Sequence, residues 1–259
     1  MPSELLDSVP LWAILAFVGV LFLAAMEVGF RFGRWRKEHA SDDREQLAGA
    51  MVASILGLVA LVLGFIFSLA ASRFDARRFG VLDEANAIGT TWLRTRFLPE
   101  PQQAESTRLL REYVDVRLRG IHQGQTAAAV ARSNELHTLL WEQAVAAQEK
   151  SNSISTGLYI QSLNQLIDLH ATRMLGMRSR IPLVLWIALY FLAALGMTSV
   201  GYQAGLAAAH RSPAAIALIL AFTCVLYLIA DLDRSQEGLL RVSQKPMLDL
   251  QESMQNAKP

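Results

Sequence analysis

Charge and cysteine are both scarce in this chain. Of its 259 residues 18% are charged, against roughly a quarter in a soluble domain, while 53% are hydrophobic and the mean hydropathy is +0.29. The deficit is local. Some stretches have almost no charge, whereas residues 73–180 read like an ordinary soluble helical segment. Two regimes in one chain point to a membrane protein. The single cysteine, Cys224, lies in an apolar run, which excludes an intrachain disulfide framework and a cysteine-based metal site. A net charge of +1 supplies no basic field for nucleic acid. His39, His122, His137, His170 and His210 show no ligand spacing, so structural or solvated roles are expected of all five. There is no G-x-S-x-G, Walker or H-E-x-x-H sequence and no EF-hand calcium loop. No cofactor, metal or enzymatic activity is therefore expected. Asp83, Glu84 and Asn86 cluster on a helix with no matching His or Cys, and the carboxylates of Asp83 and Glu84 are expected to be solvated or ion-paired. Lysine is rare beside arginine, four against twenty, a usage that hints at a GC-rich bacterial genome and the bacterial inner membrane.

Four segments carry the apolar residues. A membrane helix needs about 20 of them, because the hydrocarbon core is about 30 Å thick and each residue rises about 1.5 Å. Residues 11–30, 47–72, 181–205 and 213–230 qualify, with Pro10, Pro182 and Pro213 at their starts, where a missing N–H costs nothing. The tail before the first segment contains no Lys or Arg, so the segment is expected to be a retained span and not a secretory signal. Its one acid, Glu27, lies four residues before Arg31, on the same helical face and within pairing reach. Nine Lys and Arg flank one side (Arg73, Arg77, Arg78, Arg173, Arg178, Arg180, Arg234, Arg241 and Lys245) and six the other (Arg31, Arg34, Arg36, Lys37, Arg44 and Arg211). That bias places the termini and the middle segment in the cytoplasm. The bare N-terminal tail followed by the cluster from Arg31 to Lys37 argues the other way.

The middle segment reads as helices. Val81, Ala85, Ile88 and Trp92 share one face, and the pattern breaks at Leu98-Pro99-Glu100-Pro101. A second helix carries Leu110, Tyr113, Val114, Arg117 and Ile121 and ends near Gly120 and Gly124. A third covers 126–150, with Leu136, Leu140 and Ala144 on its stripe. A turn and N-cap at 151–153 lead into a fourth, carrying Leu163, Ile167, His170, Met174 and Met177. A packed neutral imidazole is the ordinary expectation for His170. The fold class expected is all-α: four transmembrane helices, a helical cytoplasmic segment at 73–180 inserted between the second and third, and a C-terminal tail at 231–259, together forming one membrane domain.

The second span carries most of the functional information. Ala50, Ala53, Gly57, Ala60, Gly64, Ser68 and Ala71 recur at spacings of three or four and form a stripe of small side chains. In lipid, helices associate through close van der Waals contact, which small residues permit. Such a helix is expected either inside a monomeric bundle or around a shared axis in an oligomer. The exit from the span reads VLGFIFSLAASRFDARR, from Val62 to Arg78. This resembles the bestrophins, a family of pentameric ion channels, through Val62-Leu63-Gly64-Phe65 and the Arg73-Phe74 pair eight residues later. The chain is more similar still to bacterial membrane proteins described as bestrophin-like. The residues that carry this likeness are Arg73 to Arg78, Glu84 to Thr90, Leu93-Arg94 and Val242 to Met247.

The resemblance implies a channel whose second helices form an apolar neck at Gly57, Leu61 and Phe65. Leu61 replaces an aromatic, and Gly57 would widen the neck at its level. Rings of apolar side chains can gate ion flow by dewetting. Arg73, Asp75, Arg77 and Arg78 would then form charged rings at the pore mouth. The alternative is an ion-pair lattice fastening the helix to the cytoplasmic helices, Asp75 and Arg78 being three apart. The resemblance also implies small anions as the permeant ions and a homo-oligomer as the working form. The competing reading is a non-conducting membrane scaffold or sensor whose cytoplasmic helices bind a partner.

Overall fold

The computed structural model describes residues 9–39, 45–122, 127–207, 213–234 and 238–256. Arg44, Gly124, His210 and Arg211 lie outside them, as do the side chains of Ile121, His122 and Arg178. Among the described residues all regular structure is helical. The helices are α1 (Leu11–His39), α2 (Glu45–Arg94), α3 (Gln102–His122), α4 (Ala127–Lys150), α5 (Ile154–Arg178), α6 (Leu183–Leu206), α7 (Pro213–Asp233) and α8 (Lys245–Asn256). Four of them, α1, α2, α6 and α7, are long and apolar enough to cross a membrane.

Two boundaries differ from the sequence pattern. Helix α1 runs nine residues past Phe30, to His39, since Arg34, Arg36 and Lys37 are good helix formers and the last turn, with Arg36, Lys37 and His39, favours cations. Helix α2 is one unbroken element of 50 residues, about 75 Å long and more than twice the span of the hydrocarbon core. No proline or turn cluster interrupts it between Gln46 and Arg94, so the polar helix after the second span simply continues it. A 3-10 turn at Thr95–Phe97 ends the run, and Leu98 is extended (φ −84°, ψ 147°), as the residue before a proline prefers. The region read as a tail also contains a helix, α8.

The chain divides into two compact units, residues 1–74 with 180–240 and residues 75–179 with 241–259. In the first, apolar unit, α1 packs along α6 and also against α7. Its buried cluster includes Val18, Phe22, Leu189, Ala193, Met197 and Ile229, and α2 contributes Val59, Leu63 and Ala70. Glycines set the approach of α1 to α6. A Cβ at Gly29 would lie 2.0 Å from the Thr198 carbonyl oxygen, and one at Gly201 would lie 2.0 Å from that of Met26. Gly33 and Gly205 are equally tight, at 2.2 and 2.4 Å from the carbonyl oxygens of Tyr202 and Phe30. The backbones therefore touch, which is how helices gain contact energy in lipid. At the end of α7, Asp231 accepts from the amides of Leu239 and Leu240 at 2.9 and 3.0 Å. Gly238 turns at φ +103° against this carboxylate, where a Cβ would sit 1.6 Å from Oδ1. Asp233 Oδ1 accepts from the Ile181 amide at 2.9 Å, tying the start of the third span to the end of the fourth.

The second, polar unit contains α2 from Asp75 onward, α3, α4, α5 and α8. Its core is built from Ile88, Leu109, Leu110, Leu136, Leu140, Leu163, Leu166 and Met247, each worth about 1.5–3 kcal/mol when fully withdrawn from water. Ser153 caps α5, accepting from the Thr156 amide at 3.1 Å. Helix α8 lies on α3, held by Arg111 Nη2 donating to the Met254 carbonyl at 3.0 Å and Gln251 Nε2 donating to Asp115 Oδ1 at 2.6 Å.

Candidate pore helix and a buried ion cluster

Helix α2 presents two unlike faces within the apolar unit. Val52, Val59, Leu63 and Ala70 are buried. On the other side Ala50, Ala53, Gly57, Ala60, Gly64 and Ser68 are exposed, and Ala71 is half-buried. A Cβ at Gly57 or Gly64 would meet nothing within 4 Å. Leu61 and Phe65 are 56% and 67% exposed. Among the described residues no other element thus covers the stripe from Ala50 to Ser68, and the tightest helix contacts fall on α1 and α6 instead. The signal for those was present in the sequence as Gly29 and Gly33 on α1 and Gly201 and Gly205 on α6, each pair four residues apart.

The charged group after the span is split. Asp75 and Arg78 are exposed and no ion pair joins them, Arg73 is half-buried, and Arg77 is buried. Glu27 and Arg31 do pair, at 2.9 Å.

A second constellation lies in the polar unit and was not legible as a group. Glu84, on α2, is fully buried. Its Oε1 faces Arg117 Nε at 3.0 Å and its Oε2 lies 3.3 Å from Arg117 Nη2. Arg173 Nη1 donates to Oε2, and its Nη2 donates to Gln244 Oε1 at 3.0 Å. Tyr113 Oη donates to Glu84 Oε1 at 2.8 Å and lies 2.9 Å from His170 Nδ1. His137 closes the group, its ring centroid 4.9 Å from that of Tyr113 and 4.8 Å from that of His170, edge to face.

One carboxylate thus faces two guanidiniums out of water. Burial pushes the Glu84 carboxyl up, but the His170 imidazole and the charges of Arg173 and Arg117 outweigh it and hold the group well below the usual carboxylate range. Tyr113 is driven far up, by burial first and then by the Glu84 charge. His137 is lowered to about 4, by burial first and then by His170. The tautomer of His170 follows from proton counting. Tyr113 has one hydroxyl proton and gives it to Glu84, so His170 Nδ1 must donate to Tyr113 Oη. Nε2 of the neutral ring is then a bare acceptor. It is buried without a hydrogen-bond partner, as is Nε2 of His137.

Sequence reasoning met these residues only separately. Arg117 and His170 stood on apolar stripes, and Glu84 falls three residues after Val81 and four before Ile88, on their buried face. A charge at a core position was the available signal. Their meeting was not, because the partners come from α2, α3 and α5, up to 89 residues apart.

Four apolar helices joined to a helical unit with a buried ionic centre make this an all-α, multi-pass membrane protein. The family model described as Bestrophin-like domain matches residues 12–247, and the chain belongs to the Bestrophin-like family. No curated protein and no solved structure matches it.

Proposed function

We propose that the chain is the subunit of a homo-oligomeric ion channel in which copies of α2 surround a common axis. The observation that supports this most is the uncovered small-residue face of α2, with open space at Gly57 and Gly64 and with Leu61 and Phe65 exposed beside it. A second copy is the occupant whose helix fits such a face in lipid, since small side chains permit backbone approach. Membership of the Bestrophin-like family favours the same reading. In this arrangement Gly57, Leu61 and Phe65 form the neck, Phe65 being its narrowest ring. Arg73 and Arg78 bias the mouth toward small anions, with Asp75 opposing them, while Arg77 is buried within the chain. The assembly is a pentamer of the bacterial inner membrane, with both termini and the polar unit on the cytoplasmic side. The reading assigns transport to the chain and no catalysis.

The test is reconstitution of the purified protein into planar bilayers, with native mass spectrometry of the same preparation. Unitary currents that reverse near the chloride potential, and that grow in Phe65→Ala, support the proposal. Silent bilayers from a well-folded oligomer overturn conduction. A monomer overturns the shared axis and leaves the scaffold or sensor reading.

A further inference from the structure

We propose that His137 is an acid-sensitive switch in the polar unit: its uncharged ring packs on Tyr113 and His170, and a proton taken up by it loosens α4 from α3 and α5. The argument is geometric. The two imidazoles meet edge to face at 4.8 Å between centroids, and each buries an Nε2 that has no hydrogen-bond partner. His170 is fixed by Tyr113 so that its Nε2 is the bare acceptor. A proton arriving at His137 therefore completes an imidazolium inside the core.

The surroundings oppose that charge on balance. From α3 the pair faces Tyr113 and the Arg117 guanidinium, from α5 the Arg173 guanidinium, and from α2 the Glu84 carboxylate. Gln244, neutral, takes the outer edge of Arg173. Glu84 is already shared between two cations, so a third positive charge has no partner of its own. The lowering of His137 to about 4 has the same sign. A neutral His137 is thus compatible with the packed state and a charged one is not, which is the requirement for a proton-driven switch. The inference itself holds whether or not the chain conducts.

The experiment uses the full chain in detergent micelles. Amide exchange is followed by mass spectrometry on peptides from α4 and α5 between pH 7 and pH 4, corrected for intrinsic exchange. The expected result is loss of protection in the wild type as pH falls from 6.5 toward 4, with the midpoint in His137→Phe moved down by about one pH unit or more. Glu112→Gln, which breaks the Arg132–Glu112 pair between α3 and α4, must leave the wild-type midpoint in place. Coincident profiles for wild type and His137→Phe overturn the proposal. Should His137→Phe fail to fold, imidazole NMR of the wild type decides. A His137 ring that stays neutral to near pH 4 supports the switch, and one that titrates near 6.5 overturns it.

Discussion

The chemistry of the polar unit concentrates on Glu84. Its carboxylate satisfies Arg117, Arg173 and Tyr113 at once, so its loss leaves two buried guanidiniums uncompensated. Removing one partner of a buried ion pair costs about 3–5 kcal/mol. Glu84→Gln is therefore expected to lower stability by about that amount, read as a shift in the denaturation midpoint of the detergent-solubilised protein. Replacing a surface partner such as Glu105, which pairs with the exposed Arg108, should change the midpoint by less than about 1 kcal/mol. The pH sign is also fixed. A carboxyl held low in the folded state contributes stability that is complete above pH 4.5, its ordinary value, and is lost as pH falls through the folded value. Glu84→Gln should flatten that acid limb, which parallel acid titrations of the two proteins measure.

Helices in the apolar unit present two kinds of small-residue surface. The α1–α6 contact is backbone against backbone, so Gly201→Val drives a side chain into the Met26 carbonyl. A loss of about 1–3 kcal/mol or more is expected, visible as a lower unfolding midpoint in mixed micelles. Gly57→Val meets open space within the chain. It should leave the unfolding midpoint of a monomer unchanged and weaken only an assembly of copies, as seen by native mass spectrometry. If Gly57→Val destabilises as much as Gly201→Val while the protein stays monomeric, the assignment of the two surfaces is wrong. Both glycine sets were readable as small-residue spacings. What the spacing alone did not disclose was which set meets a partner in the same chain, because a stripe of small residues is a permission for contact and not a contact.

For the whole molecule, the oligomeric proposal makes a covalent prediction. With Cys224 as the sole cysteine, Cys224→Ala gives a clean background, and Ala60→Cys then places a thiol on the exposed stripe. Copies whose α2 helices cross near that level form disulfide-linked dimers on mild oxidation, scored on a non-reducing gel. The same cysteine placed at Val59, which is buried within the chain, should not cross-link. Cross-linking at neither position, in protein shown to be oligomeric, removes α2 from the interface.

Sequence by itself determined the four apolar helices, the helical middle segment and some of the points where helices start and stop. These depend on local terms: apolar length against bilayer thickness, 3.6-residue periodicity, and proline or serine at helix ends. The Ser153 cap, the Glu27–Arg31 pair and the break at Leu98 all arise within a few residues. Only the tertiary structure decided that Glu84, Arg117, Arg173, Tyr113, His170 and His137 form one buried cluster, that α8 exists and lies on α3, and that α6, not α2, is the glycine-seated neighbour of α1. Each of these joins residues far apart in the chain. Their energies depend on desolvation and close packing, which are set by neighbours that no local pattern names.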